Sequence, residues 1–223
     1  MRLREIPGPA GLLEAILDEP PAVGGVNEEG LVERGLDNGL RAAVVLAHPH
    51  PQYGGTMHTK VVYQAAKAFR RIGCAVLRFN FRGTGLSTGA YDEGRGEMDD
   101  FRAAVDFMGA RYPDATLWAA GMSFGAWISL TAGASDPRVT TLLGIAPPLS
   151  RYDFEAVRAS AKPKFFIQGE RDELCPLKEM QEFYAAAADP KELVVIDGAD
   201  HLFDGRVLEV ADAIEDLLGD WSG

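Results

Sequence analysis

The sequence predicts an α/β protein: a doubly wound, mostly parallel sheet with helices on both faces. Three observations carry that expectation. Short apolar or β-branched runs alternate with helical patterns along most of the chain. Several runs are apolar at every position, as strands covered on both faces are. The chain has 223 residues, 47% of them hydrophobic, which is enough for a large core without disulfides or metal. One domain over residues 1–223 is expected from this length.

The strand candidates are Ala42–Ala47, Ala75–Phe79, Thr116–Ala120, Val139–Ile145, Lys164–Gln168 and Leu193–Ile196. Between them lie helical patterns at His58–Arg71, Glu97–Arg111, Phe124–Ala134, Leu177–Ala188 and Gly205–Leu218. In the last of these Val207, Leu208, Ala211, Ile214, Leu217 and Leu218 recur at helical spacing. The first forty residues are rich in Gly and Pro, with one strand candidate at Leu12–Leu17. One or two edge strands antiparallel to the rest are expected there. Only about 18 residues separate Ile145 from Lys164, too few for a cap domain, since a folding unit needs on the order of 50. Asp153–Ser160 can form one short helix, so any active site should be fairly open.

The formal net charge is −11. Such a surface repels phosphate backbones and anionic lipid, so nucleic acid and membrane surfaces are disfavoured as partners. The N-terminal segment lacks the apolar core of a signal peptide, and no run approaches the ~20 apolar residues of a membrane span. Cys74 and Cys175 read as free thiols, and a cytoplasmic location is expected.

Two segments match G-x-S-x-G: Gly121-Met122-Ser123-Phe124-Gly125 and Gly85-Leu86-Ser87-Thr88-Gly89. Context separates them. A serine hydroxyl becomes a useful nucleophile when exposed beside a base. A sharp strand-to-helix turn provides that exposure, and its helix N-terminus offers N–H groups to a developing oxyanion. Ser123 has an apolar strand before it and an apolar helix after it, whereas Ser87 has turn material on both sides. The base must come from His48, His50, His58 or His201. His201 follows the last strand, on the edge of a parallel sheet where strands end and sites form. His48 reads as a packing and hydrogen-bonding residue at the base of its loop. The acid that orients the base should follow the preceding strand, where Glu170, Asp172 and Glu173 are candidates. Asp197 and Asp200 flank His201 too closely and read as turn formers.

An oxyanion hole needs two N–H donors. Phe124 supplies one, and the loop His48–Gly55 supplies the other through His50 or Tyr53. No cofactor is required. His48-x-His50 is the only close pair of metal-ligand type, and its flanking prolines make it a loop, so no metal site is expected. Gly83-Thr84-Gly85-Leu86-Ser87-Thr88 lacks the third glycine of a dinucleotide fingerprint.

The chain resembles a bacterial group of small cap-less α/β-hydrolases, predicted carboxylesterases with dienelactone-hydrolase-like relatives. The likeness runs through HPHPQYGGTM (His48–Met57), LRFNFRGTGLSTG (Leu77–Gly89), GMSFGA (Gly121–Ala126), IAPPLSRYDF (Ile145–Phe154), QGERDELCP (Gln168–Pro176) and GADHLF (Gly198–Phe203). The resemblance implies the α/β-hydrolase fold without a separate cap domain. It also implies Ser123 as nucleophile, Asp172 as acid and His201 as base, in the chain order of that fold. It makes FNFRGTG a structural turn, which accounts for Ser87. Dienelactone hydrolases proper carry a cysteine nucleophile; serine here favours ester hydrolysis. The stretch Pro20–Leu40 departs from the group. The expected activity is hydrolysis of small, short-chain acyl esters. A thioesterase, an acyltransferase or a non-catalytic binding protein of the same fold are the alternatives. A monomer and a homodimer are both compatible with the pattern.

Overall fold

The structure, a computed structural model, describes residues 5–20 and 40–221. Residues 21–39, most of the divergent Pro20–Leu40 stretch, lie outside them. The strands are β1 (Glu5–Gly8), β2 (Gly11–Asp18), β3 (Ala43–Ala47), β4 (Ala75–Phe79), β5 (Leu117–Met122), β6 (Val139–Ile145), β7 (Lys164–Gly169) and β8 (Lys191–Ile196). The helices are α1 (Lys60–Arg71), α2 (Arg95–Arg111), α3 (Phe124–Ser135), α4 (Glu155–Ala159), α5 (Leu177–Ala186) and α6 (Val207–Leu218). A single 3-10 turn, Pro51–Tyr53, follows β3.

All eight strands form one sheet in the order β1-β2-β4-β3-β5-β6-β7-β8. From β4 to β8 every pairing is parallel, while β1 and β2 are antiparallel additions at one edge. Pro7 sits in β1, the outermost strand, where a missing ladder N–H is tolerated. Side chains alternate across the sheet. Val44, Leu46, Val76 and Ile167 meet Val61, Phe69, Val210 and Ile214 of α1 and α6 on one face. On the other, Val45, Leu77, Ala119 and Phe166 meet Phe101, Met108, Leu130 and Met180 of α2, α3 and α5. Strands buried on both faces account for the continuous apolar runs.

The expected elements are present with shifted ends. β5 runs two residues further than Ala120, so the chain enters the turn at Ser123 directly from the sheet. β8 begins at Lys191, paired with Lys164 of β7, although Lys191 and Glu192 look polar in sequence. α1 begins at Lys60 because Thr56–Thr59 closes a turn of its own, Thr59 N–H donating to the Thr56 carbonyl at 2.9 Å. The β6–β7 connection carries the five-residue α4 and no larger unit.

Candidate active site

β5, α3 and the loops after β3, β6, β7 and β8 meet at one edge of the sheet, where parallel strands end. Ser123 links β5 to α3 with φ 54° and ψ −120°, a left-handed φ that a side chain adopts at a cost of about 1–3 kcal/mol. Its N–H donates to the Ile145 carbonyl at 2.8 Å, fastening the turn to β6. The two motif glycines are required by close approach. A Cβ on Gly121 would stand 2.3 Å from the Gly125 carbonyl oxygen, and one on Gly125 would stand 2.4 Å from that of His48.

Ser123 Oγ lies 2.9 Å from His201 Nε2, and His201 Nδ1 lies 2.8 Å from Asp172 Oδ2. With a carboxylate facing Nδ1, the ring proton sits there and the Nε2 lone pair faces the serine hydroxyl. Asp172 is itself tightly held. Its Oδ1 accepts the N–H groups of Leu174 and Cys175 at 2.9 and 2.8 Å, and its Oδ2 accepts Gln168 Nε2 at 3.1 Å. The same Gln168 amide donates to the Cys175 carbonyl at 2.6 Å, so it pins both ends of the acid-bearing turn. The other acidic candidates do different work. Glu170 accepts the Gly198 N–H, and Asp200 accepts the N–H groups of Leu202 and Asp204, the turn-forming role read from sequence.

Phe124 opens α3, where N–H groups have no partner inside the helix. In the loop after β3, Gln52 N–H goes to His50 Nδ1, Tyr53 and Gly55 N–H both go to the His50 carbonyl, and Gly54 N–H goes to Pro51. The Tyr53 donor is therefore already used, while the His50 N–H has no acceptor among the described residues. The His50 ring packs 4.8 Å from the Phe124 ring, centroid to centroid, and its Nε2 lies 3.2 Å from the Tyr91 hydroxyl. Burial, with a smaller contribution from the Arg151 charge, holds the His50 pKa below its ordinary value. Since Nδ1 accepts from Gln52, neutral His50 donates from Nε2 to Tyr91.

His48 is fully buried. Its Nε2 accepts the Phe81 N–H at 3.0 Å, and its Nδ1 donates to the Pro49 carbonyl at 2.6 Å. Burial pushes its pKa down to about 4. It joins the β3 and β4 loops, as expected of a residue at the loop base. Ser87 is likewise taken up in structure, donating to the Asn80 carbonyl at 2.7 Å and accepting the Glu14 N–H at 2.9 Å.

A cavity of about 530 Å³ opens over Ser123. Phe124, His50 and Tyr152 form aromatic walls, and exposed Tyr53, Leu174 and Leu202 form an apolar rim. Tyr152 stacks on Trp127 at 4.1 Å, which fixes that wall against α3. Gln168, Tyr91, Arg151 and Tyr152 are site residues that sequence reasoning did not find. Their segments carry the family likeness, but no pattern in them tells which side chain turns inward. Asp172, Cys175 and His201 place ligand-type atoms within 4.8 Å of one another. Two of the three are bonded to each other, and burial pushes the Cys175 thiol well above its ordinary pKa.

A family model described as serine aminopeptidase, S33, matches residues 39–153. An uncharacterized protein of Rickettsia prowazekii is 36% identical over 199 residues, 85% of this chain and 83% of its own. An alpha-beta serine hydrolase homologue from Coxiella burnetii superposes with a TM-score of 0.85 at 35% identity, over 98% of this chain and 97% of that one. A serine hydrolase without a lid from Xanthomonas campestris gives 0.84 at 34% identity, over 97% and 92%.

Proposed function

Because the chain belongs to the serine aminopeptidase, S33, family and has the α/β-hydrolase fold, we propose that it is a carboxylesterase in which Ser123, His201 and Asp172 cleave small esters. One observation carries the reading: a serine on a strained strand–helix turn stands 2.9 Å from an imidazole nitrogen whose other nitrogen is held by a buried carboxylate. His201 takes the hydroxyl proton as Ser123 Oγ attacks the ester carbonyl. Asp172 keeps the ring tautomer and stabilises the imidazolium. The N–H groups of Phe124 and His50 receive the oxyanion. His201 protonates the leaving alcohol, and water then releases the acyl group by the same route. No step requires a cofactor.

Ester rather than peptide substrates are favoured by the lining of the cavity. An aminopeptidase must hold an α-ammonium group, and among the described residues none that line the cavity is Asp or Glu. The rim is apolar and the β6–β7 connection brings no lid, which suits short acyl groups.

The test is hydrolysis of p-nitrophenyl esters from acetate to palmitate by the wild type, Ser123→Ala and Ser87→Ala. Turnover should peak at short chains and fall at least 10³-fold in Ser123→Ala, with Ser87→Ala close to wild type where it folds. Activity that survives Ser123→Ala would refute the assignment. A folded wild type inert on every ester would refute the esterase reading.

A further inference from the structure

Arg151 lines the same cavity as Ser123 and His201 and is exposed to solvent. The chain has 33 acidic residues against 22 Lys and Arg, so carboxylate partners are in excess. Arg78, Arg82, Arg138 and Arg158 each hold one. Arg151 makes no ion pair with any described residue. Asp153, two residues on, is turned to the N–H of Glu155. Among the described residues the lining holds no carboxylate, so within them Arg151 is a positive charge without an acidic partner in a cavity that is mostly aromatic and apolar. The placement is not casual. Arg151 N–H donates to the Pro148 carbonyl at 3.0 Å, and the next residue, Tyr152, is stacked on Trp127. The charge reaches the opposite wall, where it helps hold His50 neutral.

We propose that Arg151 binds a carboxylate on the substrate, so that the site selects acidic esters over neutral ones of the same shape. The inference rests on the esterase reading above and adds the substrate class. A guanidinium offers a planar fork of N–H donors that a carboxylate accepts in pairs. At an exposed position that contact is worth roughly 5- to 30-fold in kcat/KM. The carboxylate can sit on the acyl group or on the alcohol.

The experiment compares acid and carboxamide isosteres on each side of the bond. The acyl pair is the mono-p-nitrophenyl ester of adipic acid and the same ester of adipamic acid. The alcohol pair is 4-carboxyphenyl butyrate and 4-carbamoylphenyl butyrate. Each is assayed with the wild type, Arg151→Gln and Arg151→Lys, with thermal melts to confirm folding. In one of the two pairs, the wild type should favour the acid about 5- to 30-fold, through KM. Read as the acid-to-amide ratio within each variant, Arg151→Gln should erase that preference, while Arg151→Lys keeps part of it. Raising the salt should shrink the wild-type preference. Hydrolysis of the neutral esters with no acid preference in either pair overturns the inference and leaves the esterase reading standing. So does a preference that survives Arg151→Gln. If folded wild type cleaves neither the acidic nor the neutral esters, the esterase reading fails and this inference falls with it.

Discussion

Acidification should weaken the fold through His48. The ring is fully buried and both of its nitrogens are used, Nε2 as acceptor from Phe81 and Nδ1 as donor to Pro49. A second proton would break the first contact and place an unpaired charge in the core. The folded pKa is pushed down to about 4 from an ordinary 6.5. Above pH 6.5 neither the folded nor the unfolded chain protonates this ring, and its contribution is complete. Between 6.5 and 4 the unfolded chain takes up the proton and the folded one refuses it, so stability drains away as the pH falls. A gap of ~2.5 pH units at 1.36 kcal/mol each amounts to roughly 3 kcal/mol. Urea unfolding followed by tryptophan fluorescence at steps from pH 7.5 to 4.5 measures it. Carboxylates titrate in the lower part of that range, so the informative quantity is the difference from His48→Leu. At pH 7 the variant should be less stable by about 1–3 kcal/mol, because the Phe81 N–H loses its acceptor. On acidification the two curves should converge, the variant being the less pH-sensitive between pH 6.5 and about 4. Parallel curves across the range would show that His48 does not resist protonation, and the argument from its burial would be wrong.

Tyr91→Phe should lower kcat about 3- to 10-fold with little change in KM or melting temperature, because the hydroxyl steadies the ring of His50 and thereby its N–H; stopped assays on a short-chain ester read it. Gly125→Ala should give little soluble protein or lose more than 3 kcal/mol in urea, since its Cβ would press on the backbone of the β3 loop. A variant that folds normally would mean that the loop can retreat.

The parallel core strands and the helices between them were legible because each strand is buried on both faces and each helix on one, which imprints its period on the sequence. Ends were less legible. Lys191 and Glu192 join β8 through pairing with β7, which backbone hydrogen bonds decide and side chains do not announce. β1 is short and carries a proline, so of the one or two edge strands expected there only that at Leu12–Leu17 had bounds in the sequence. In the site, Ser123 and His201 stood out because a motif in the right context and one sheet edge agreed, while Asp172 was singled out from Glu170 and Glu173 by the family resemblance. The choice between His50 and Tyr53 did not. It depends on a 3-10 turn that uses up the Tyr53 N–H and leaves that of His50. Gln168, Tyr91 and Arg151 come from three separate segments. Their convergence is a property of folded space, and no local spacing encodes it.

If Ser123 is the nucleophile proposed above, its strained backbone sets activity and durability against each other at a single residue. Glycine occupies that conformation freely, so replacing the serine by glycine releases the strain and removes the hydroxyl that stands 2.9 Å from His201 Nε2. A lineage relieved of the need for the chemistry gains a sturdier fold by discarding it in one step. A descendant with glycine there and an intact surrounding loop would therefore be a scaffold freed for binding, still holding its cavity and the guanidinium of Arg151.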